Sequence, residues 1–264
     1  LEAFLEYWID DPEVDGEATT RVSLNDQGLN GDQTADDQTW SVELPAFPNN
    51  SIVRYKIEYR EGNQAQSSPS PARDAFPSHA YFVDPQADSN LPNNYHLFIS
   101  SANWQALHQA TDPGRVTRSR ANPRWNDEVP AVFIAEGVVH EVSVRHQGSR
   151  WNRKNGSTIN FDCESHRNGS AQVRSWRIEF PSYRKHNGMD VILLQKQSGW
   201  PQHMSFKMFE LAGVPAPRTS WANLRINGCD YNSDAFQIER PGRDLVARWF
   251  GEVGDLYKSQ GFTG

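Results

Sequence analysis

The sequence predicts an α+β chain of two domains, an all-β sandwich over residues 1–86 and, over 87–264, an antiparallel sheet carrying a few helices. Three observations carry that expectation. Period-2 alternation dominates the first ~85 residues, the pattern of half-buried strands. From about Tyr95 strand-length apolar runs alternate with helical stripes. Between the two lies "DPQADSNLPNN" (84–94), whose Pro and Asn content marks a linker.

In the first domain "SIVRYKIEYR" sets Val53, Tyr55, Ile57 and Tyr59 on one face and Arg54, Lys56, Glu58 and Arg60 on the other. "TRVSL" and "TWSVEL" repeat the pattern around Trp40, Val42 and Leu44. Short strands at this spacing, with Gly, Asn, Asp and Pro turns between them, suggest an immunoglobulin- or fibronectin-like sandwich. The intervening "DQGLNGDQTADD" (26–37) offers a cation site. Asp26, Asn30, Gly31, Asp32 and Asp37 stand at positions one, five, six, seven and twelve of an EF-hand-like spacing, with oxygen donors of the kind Ca²⁺ takes. Gly28 at position three and Asp in place of Glu at twelve depart from that motif. The competing reading is a polar connection between two strands.

In the second domain "YHLFIS" reads as a strand and "SANWQALHQA" as a short helix capped by Ser100 or Ser101. "AVFIA" and "VVHEVSVRHQG", joined by "EG", form a hairpin with Val138, Val142 and Val144 on one face. His140 shares that face and reads as a core or edge residue. "RSWRIEF" buries Trp176, Ile178 and Phe180. "PQHMSFKMFELAG" places Met204, Met208 and Leu211 on one helical stripe widened by Phe206 and Phe209, and "GVPAPR" stops it. "RPGRDLVARWFG" opens a last helix at Pro241 and closes it at Gly251, burying Leu245, Val246, Trp249 and Phe250.

Composition narrows the function. No stretch approaches the ~18 apolar residues of a membrane span. The first 50 residues hold twelve Asp/Glu against Arg21 alone, whereas residues 101–264 hold 21 Lys/Arg against 16 Asp/Glu, so the two ends face different partners. A pI near 5.6 argues against nucleic acid as the partner. The motifs G-x-S-x-G, H-E-x-x-H and C-x-x-C do not occur, and Cys163 with His166 lacks the second ligand pair of a zinc site. Cys163 and Cys229 are a disulfide candidate, with free thiols the alternative. Asn155 and Asn168 stand in glycosylation sequons. Gly148, Ser149 and Arg150 follow a strand and, with Arg145 and Arg153 nearby, could hold phosphate through main-chain N–H groups and guanidinium groups.

The order "VRHQGSRWNR", "RSWRIEFP", "SFKMFELAGVPAPRTSWANLRING", "FQIERPGRDLVARWFG" and "GDLYKSQGF" resembles the CotH family, the spore coat protein H-like kinases, over residues 138–262. The resemblance implies the N-terminal lobe of an atypical protein kinase that transfers phosphate from ATP, with Mg²⁺, to Ser or Thr of a protein substrate. On it Gly148, Ser149 and Arg150 lie near the phosphates, and Arg177 pairs with Glu239 as the kinase Lys–Glu pair does. Pro241 stands where a further carboxylate would be expected. The family's helical lobe, with its catalytic Asp and metal-binding Asn, would follow Gly264, so residues 1–264 alone are expected to be inactive. The sandwich ahead of the lobe implies an extracellular or cell-surface protein. The alternative function is a structural, adhesive or calcium- or carbohydrate-binding surface module with assembly partners.

Overall fold

A computed structural model describes residues 2–11, 18–62, 64–70, 76–84, 93–111, 126–148, 173–196, 199–252, 254 and 257. The chain divides into two compact units, Leu1–Asn90 with Gly137–Val139, and Leu91–Glu136 with His140–Gly264.

The first unit is all-β. Its strands are β1 (Glu2–Asp10), β2 (Thr20–Ser23), β3 (Ile52–Glu61), β4 (Gln64–Ser68) and β5 (His79–Phe82). They pair antiparallel as one open sheet, β2-β1-β3-β4, with β5 also on β3. The central strand β3 is the alternating "IVRYKIEYRE". It runs beside β1 from Glu2↔Arg60 to Asp10↔Ile52, and it divides its other edge between β4 and β5. Cross-strand partners share a face, so Tyr7, Tyr55, Tyr81 and His79 gather on one side. Phe47 packs edge-on against Tyr7 and Tyr81 there. On the other side Arg21 lies 4.2 Å over Phe4, and Arg54 bonds Asp10 at 2.6 Å. "TWSVEL" forms no strand. Ser41 alone bridges to Asn25, because the segment is tied up by the turn structure of the preceding loop.

The second unit overturns the α+β expectation. It comprises β6 (Asn94–Phe98), α1 (Ser101–Thr111), β7 (Val129–Ala135), β8 (Val138–His146), β9 (Trp176–Glu179), β10 (Val191–Gln195), α2 (Trp200–Leu211), β11 (Thr219–Ile226), β12 (Cys229–Glu239) and α3 (Arg243–Phe250). Seven strands close as β10-β12-β11-β6-β7-β8-β9. The described residues are mostly β, with 45 % strand and 14 % helix, which does not fit the lobe of an atypical kinase. An α+β unit covers its sheet with a layer of helices. Here the sheet covers itself, because closure removes the edges and turns one face of every strand inward. The closing contact is the parallel pairing of β6 with β11, Tyr95↔Leu224 and Leu97↔Ile226, between segments more than a hundred residues apart. α2 buries no side chain, and α3 buries only Leu245 and Val246.

Inside the barrel lie Tyr95, Leu97, Phe133, Val142, Val144, Trp176, Ile178, Phe180, Ile192 and Leu224, all buried. The predicted inward set of "RSWRIEF" is therefore correct, as is the hairpin. Its turn residues Glu136 and Gly137 have φ of 53° and 75°, the left-handed pair that a two-residue hairpin requires. The Met204, Met208 and Leu211 stripe of α2 faces solvent, with Leu211 88 % exposed. Helical periodicity identifies the stripe without saying whether a partner covers it.

Candidate functional site

The rim residues come from three neighbouring strands. Val191 and Ile192 of β10 pair with Glu179 and Ile178 of β9, and Arg145 of β8 lies directly across from Arg177. Odd positions of β9 thus point outward while Trp176 and Ile178 fill the core. Arg177 is buried to 8 % exposure and bonds both Glu128 and Glu179, the latter at 2.6 Å. Arg145 reaches the same Glu128 Oε1 at 3.3 Å and donates to the His146 carbonyl oxygen at 3.2 Å. Burial, then the facing Arg177, holds the Arg145 guanidinium below its ordinary pKa, and Arg240 adds in the same direction. Three guanidinium groups therefore share the neighbourhood of two carboxylates. Gly148 follows β8 with φ 112°, a left-handed turn that opens the loop leaving this rim. Ser149, Arg150 and Arg153 lie outside the described residues.

The expected Arg177–Glu239 pair does not form, and register explains why. Arg177 aligns with Leu193 and, through it, Ile238, whereas Glu239 aligns with Ile192 and Ile178. Paired positions across a sheet share a face, so the two side chains lie on opposite faces. Glu239 instead fastens the segment that stops α2. After Leu211 the chain turns at Gly213, φ 73°, with the Val214 N–H donating to Phe209 O at 2.8 Å. Pro215 and Pro217 then carry it to Arg218, whose main-chain N–H donates to Glu239 Oε2 at 3.0 Å and whose side chain bonds Oε1 at 3.3 Å. From α3, Arg248 bonds Oε2 at 2.6 Å and the Ala216 carbonyl oxygen at 2.8 Å, while Trp249 Nε1 donates to the same carbonyl at 3.1 Å. "GVPAPR", "QIER" and "RDLVARWF" thus meet on one buried carboxylate.

In the first unit, one carboxylate oxygen each from Asp26, Asp32 and Asp37 lies within 4.8 Å of the other two. The loop folds this way because Gly31, φ 95°, lets its main chain approach that of Glu43, where a Cβ would meet Glu43 N at 3.0 Å. Asp32 is buried, and its Oδ2 accepts the Gly28 N–H at 2.6 Å. Asp26 accepts the N–H groups of Asp37 and Gln38, each at 3.1 Å. All three are hard oxygen donors suited to Ca²⁺. Asn30, the remaining ligand candidate, takes φ 51° and is engaged through its main chain, its carbonyl oxygen accepting from Glu43 N at 2.7 Å.

Cys229 is disulfide-bonded. Cys163, Asn155 and Asn168 lie outside the described residues. Two constellations escaped sequence reading. Asp190 and Asp244 come together at the start of α3, where Asp244 accepts the Asp190 N–H at 2.7 Å and bonds Lys185 at 2.5 Å. Tyr95, His140, His186 and Gln237 form a buried polar group within the barrel. His140 was visible as an inward position, but His186 sits in a turn with no periodicity to flag it. Among the described residues, no helix is long and apolar enough to cross a membrane. No protein-family model and no curated protein matches this chain.

Proposed function

We propose that the chain is part of an exported phosphotransferase of the CotH class, its second unit binding the phosphates of Mg²⁺-ATP for transfer to a protein. The reading rests on the residues at the barrel's rim and not on the fold class of a kinase lobe. One observation carries it: Arg145 and Arg177 lie directly across from one another near where β8 gives way to the left-handed turn at Gly148. Guanidinium groups beside a glycine turn suit a polyphosphate. The disulfide at Cys229 supports an oxidising compartment and hence an extracellular or surface location. Isothermal titration with Mg²⁺-ATP tests it. Binding that weakens about tenfold or more in Arg177→Ala, with the fold intact by circular dichroism, supports the reading. Absence of binding by the wild-type chain sinks it.

A second reading has its own observation, the three converging carboxylates of Asp26, Asp32 and Asp37. On this reading the first unit is a Ca²⁺-stabilised, open-sheet module of a surface-assembly or adhesive protein, without catalytic activity. Ca²⁺ that raises the thermal midpoint of the wild type supports it, and indifference to millimolar Ca²⁺ removes it.

A further inference from the structure

Between β9 and β10 the chain does not take a tight turn. Residues 181–190 instead form a loop that bends inward and delivers His186 and Met189, 4 % and 3 % exposed, to the barrel. The tip of the loop is closed on itself by the paired main-chain bonds His186 N to Met189 O, 3.2 Å, and Met189 N to His186 O, 2.8 Å. Inside, His186 Nε2 lies 3.3 Å from the Tyr95 hydroxyl, which donates to Gln237 Oε1 at 2.7 Å. The His186 ring stacks on Phe180 at 5.6 Å and meets His140 edge-on at 6.0 Å. His140 in turn stands edge-on to Phe180 at 5.1 Å, and its Nδ1 has no hydrogen-bond partner.

We infer that the loop of residues 181–190 is an acid-released plug of the barrel, seated while His140 and His186 are neutral and expelled when they take up protons. Two imidazoles in edge contact, walled by Phe133 and Phe180, have no room for two positive charges. The charged groups facing them oppose one another. The charges of Arg184 on His140 and of Arg218 on His186 discourage protonation, while the hydrogen bond between His140 and the Arg184 main chain favours it. Glu136 of the β7–β8 turn favours it at His186, while Tyr95 of β6 and Gln237 of β12 contribute neutral hydrogen-bonding groups. Burial, then His186, lowers the His140 pKa from 6.5 to about 4. The sign follows from that direction. The seated loop excludes a proton that the released loop binds, so seating is favoured above pH 6.5 and weakens as the pH falls toward about 4. Release uncovers Tyr95, Phe133 and Phe180, an apolar opening absent at neutral pH.

Hydrogen–deuterium exchange of the full chain across this pH range, corrected for intrinsic rates, tests the proposal. The expected result is a loss of about tenfold or more in protection at the His186 and Met189 amides by about pH 4.5, with the amides of β8, β9 and β10 still protected. In His186→Phe, which keeps the ring stack on Phe180, the loop's acid response weakens, and in the double variant with His140→Phe it disappears. Two outcomes overturn the inference. One is a wild-type loop whose protection does not change with pH, and the other is a loop that loses protection only together with the strands. The comparison of loop with strands is made within the wild-type chain, so it stands even if the variant does not fold.

Discussion

Glu239 and Arg248 pair at 2.6 Å with the carboxylate 1 % exposed and the guanidinium 28 % exposed. The asymmetry sets an order of effects. Arg248→Met leaves a buried carboxylate with Arg218 as its remaining cation and is expected to cost about 3 kcal/mol, in the range for stranding a buried charge. Glu239→Gln leaves two cations that water can reach, and a side chain that still accepts the Arg218 N–H. Its cost should be nearer 2 kcal/mol. Urea unfolding measures both, and the reverse order would mean that the carboxylate is better hydrated than the geometry indicates.

Gly199 precedes α2 beneath the ring of Phe236, and a Cβ there would fall 2.0 Å from Phe236 Cδ1. Phe236 is fully buried and packs on Trp221 at 5.5 Å, so the ring has little space to yield. Gly199→Ala is expected to destabilise the second unit by about 2 kcal/mol through overpacking. Trp200 and Trp221 lie 4.6 Å apart, so the displaced helix start should also alter near-ultraviolet circular dichroism. An unchanged aromatic spectrum would place the helix start elsewhere.

Asp37 separates the calcium reading from a merely polar loop. Its Oδ1 accepts the Thr39 N–H at 2.8 Å, a bond that Asn can retain, while its charge adds to those of Asp26 and Asp32. Asp37→Asn should therefore leave the metal-free protein as stable or slightly more so, and should remove most of the gain that millimolar Ca²⁺ gives the wild type. Equal Ca²⁺ responses in the two proteins would end the assignment. Only the crossing of the two effects is diagnostic.

The sequence disclosed local pattern well and global closure poorly, and particular residues show why. Trp176, Ile178 and Phe180 alternate, and all three are buried. Gly213 and Gly251 end their helices with φ of 73° and 78°. These are decisions made within a few residues. Barrel closure depends on Tyr95 meeting Leu224 in parallel, which no short window contains. The same limit governs the site. Arg177 is correctly placed on a strand, but whether it meets Glu239 depends on register across β10, and register puts the two on opposite faces. The Asp26, Asp32 and Asp37 group was legible because loop spacing is local.

The Asp190–Asp244 pair gives a pH dependence opposite in sign to that of the buried histidines. Burial, then the neighbouring Asp244, raises the Asp190 carboxyl above its ordinary value. Asp244 is raised by burial as well, but the Lys185 ammonium and the bonds from Asp190 outweigh that and bring it below 3.8. For Asp190 the folded chain binds a proton more tightly than the unfolded chain does, so its contribution falls as pH rises from 3.8 through the folded value and stays low at neutral pH. Asp190→Asn removes this cost. Its main-chain N–H still reaches Asp244, and its amide can donate where the shared proton stood. The variant should melt a few degrees above the wild type at pH 7, and the two should converge near pH 3. A scan of melting temperature against pH checks this. If the two curves run parallel instead, the carboxyl is unperturbed and the variant acts through packing.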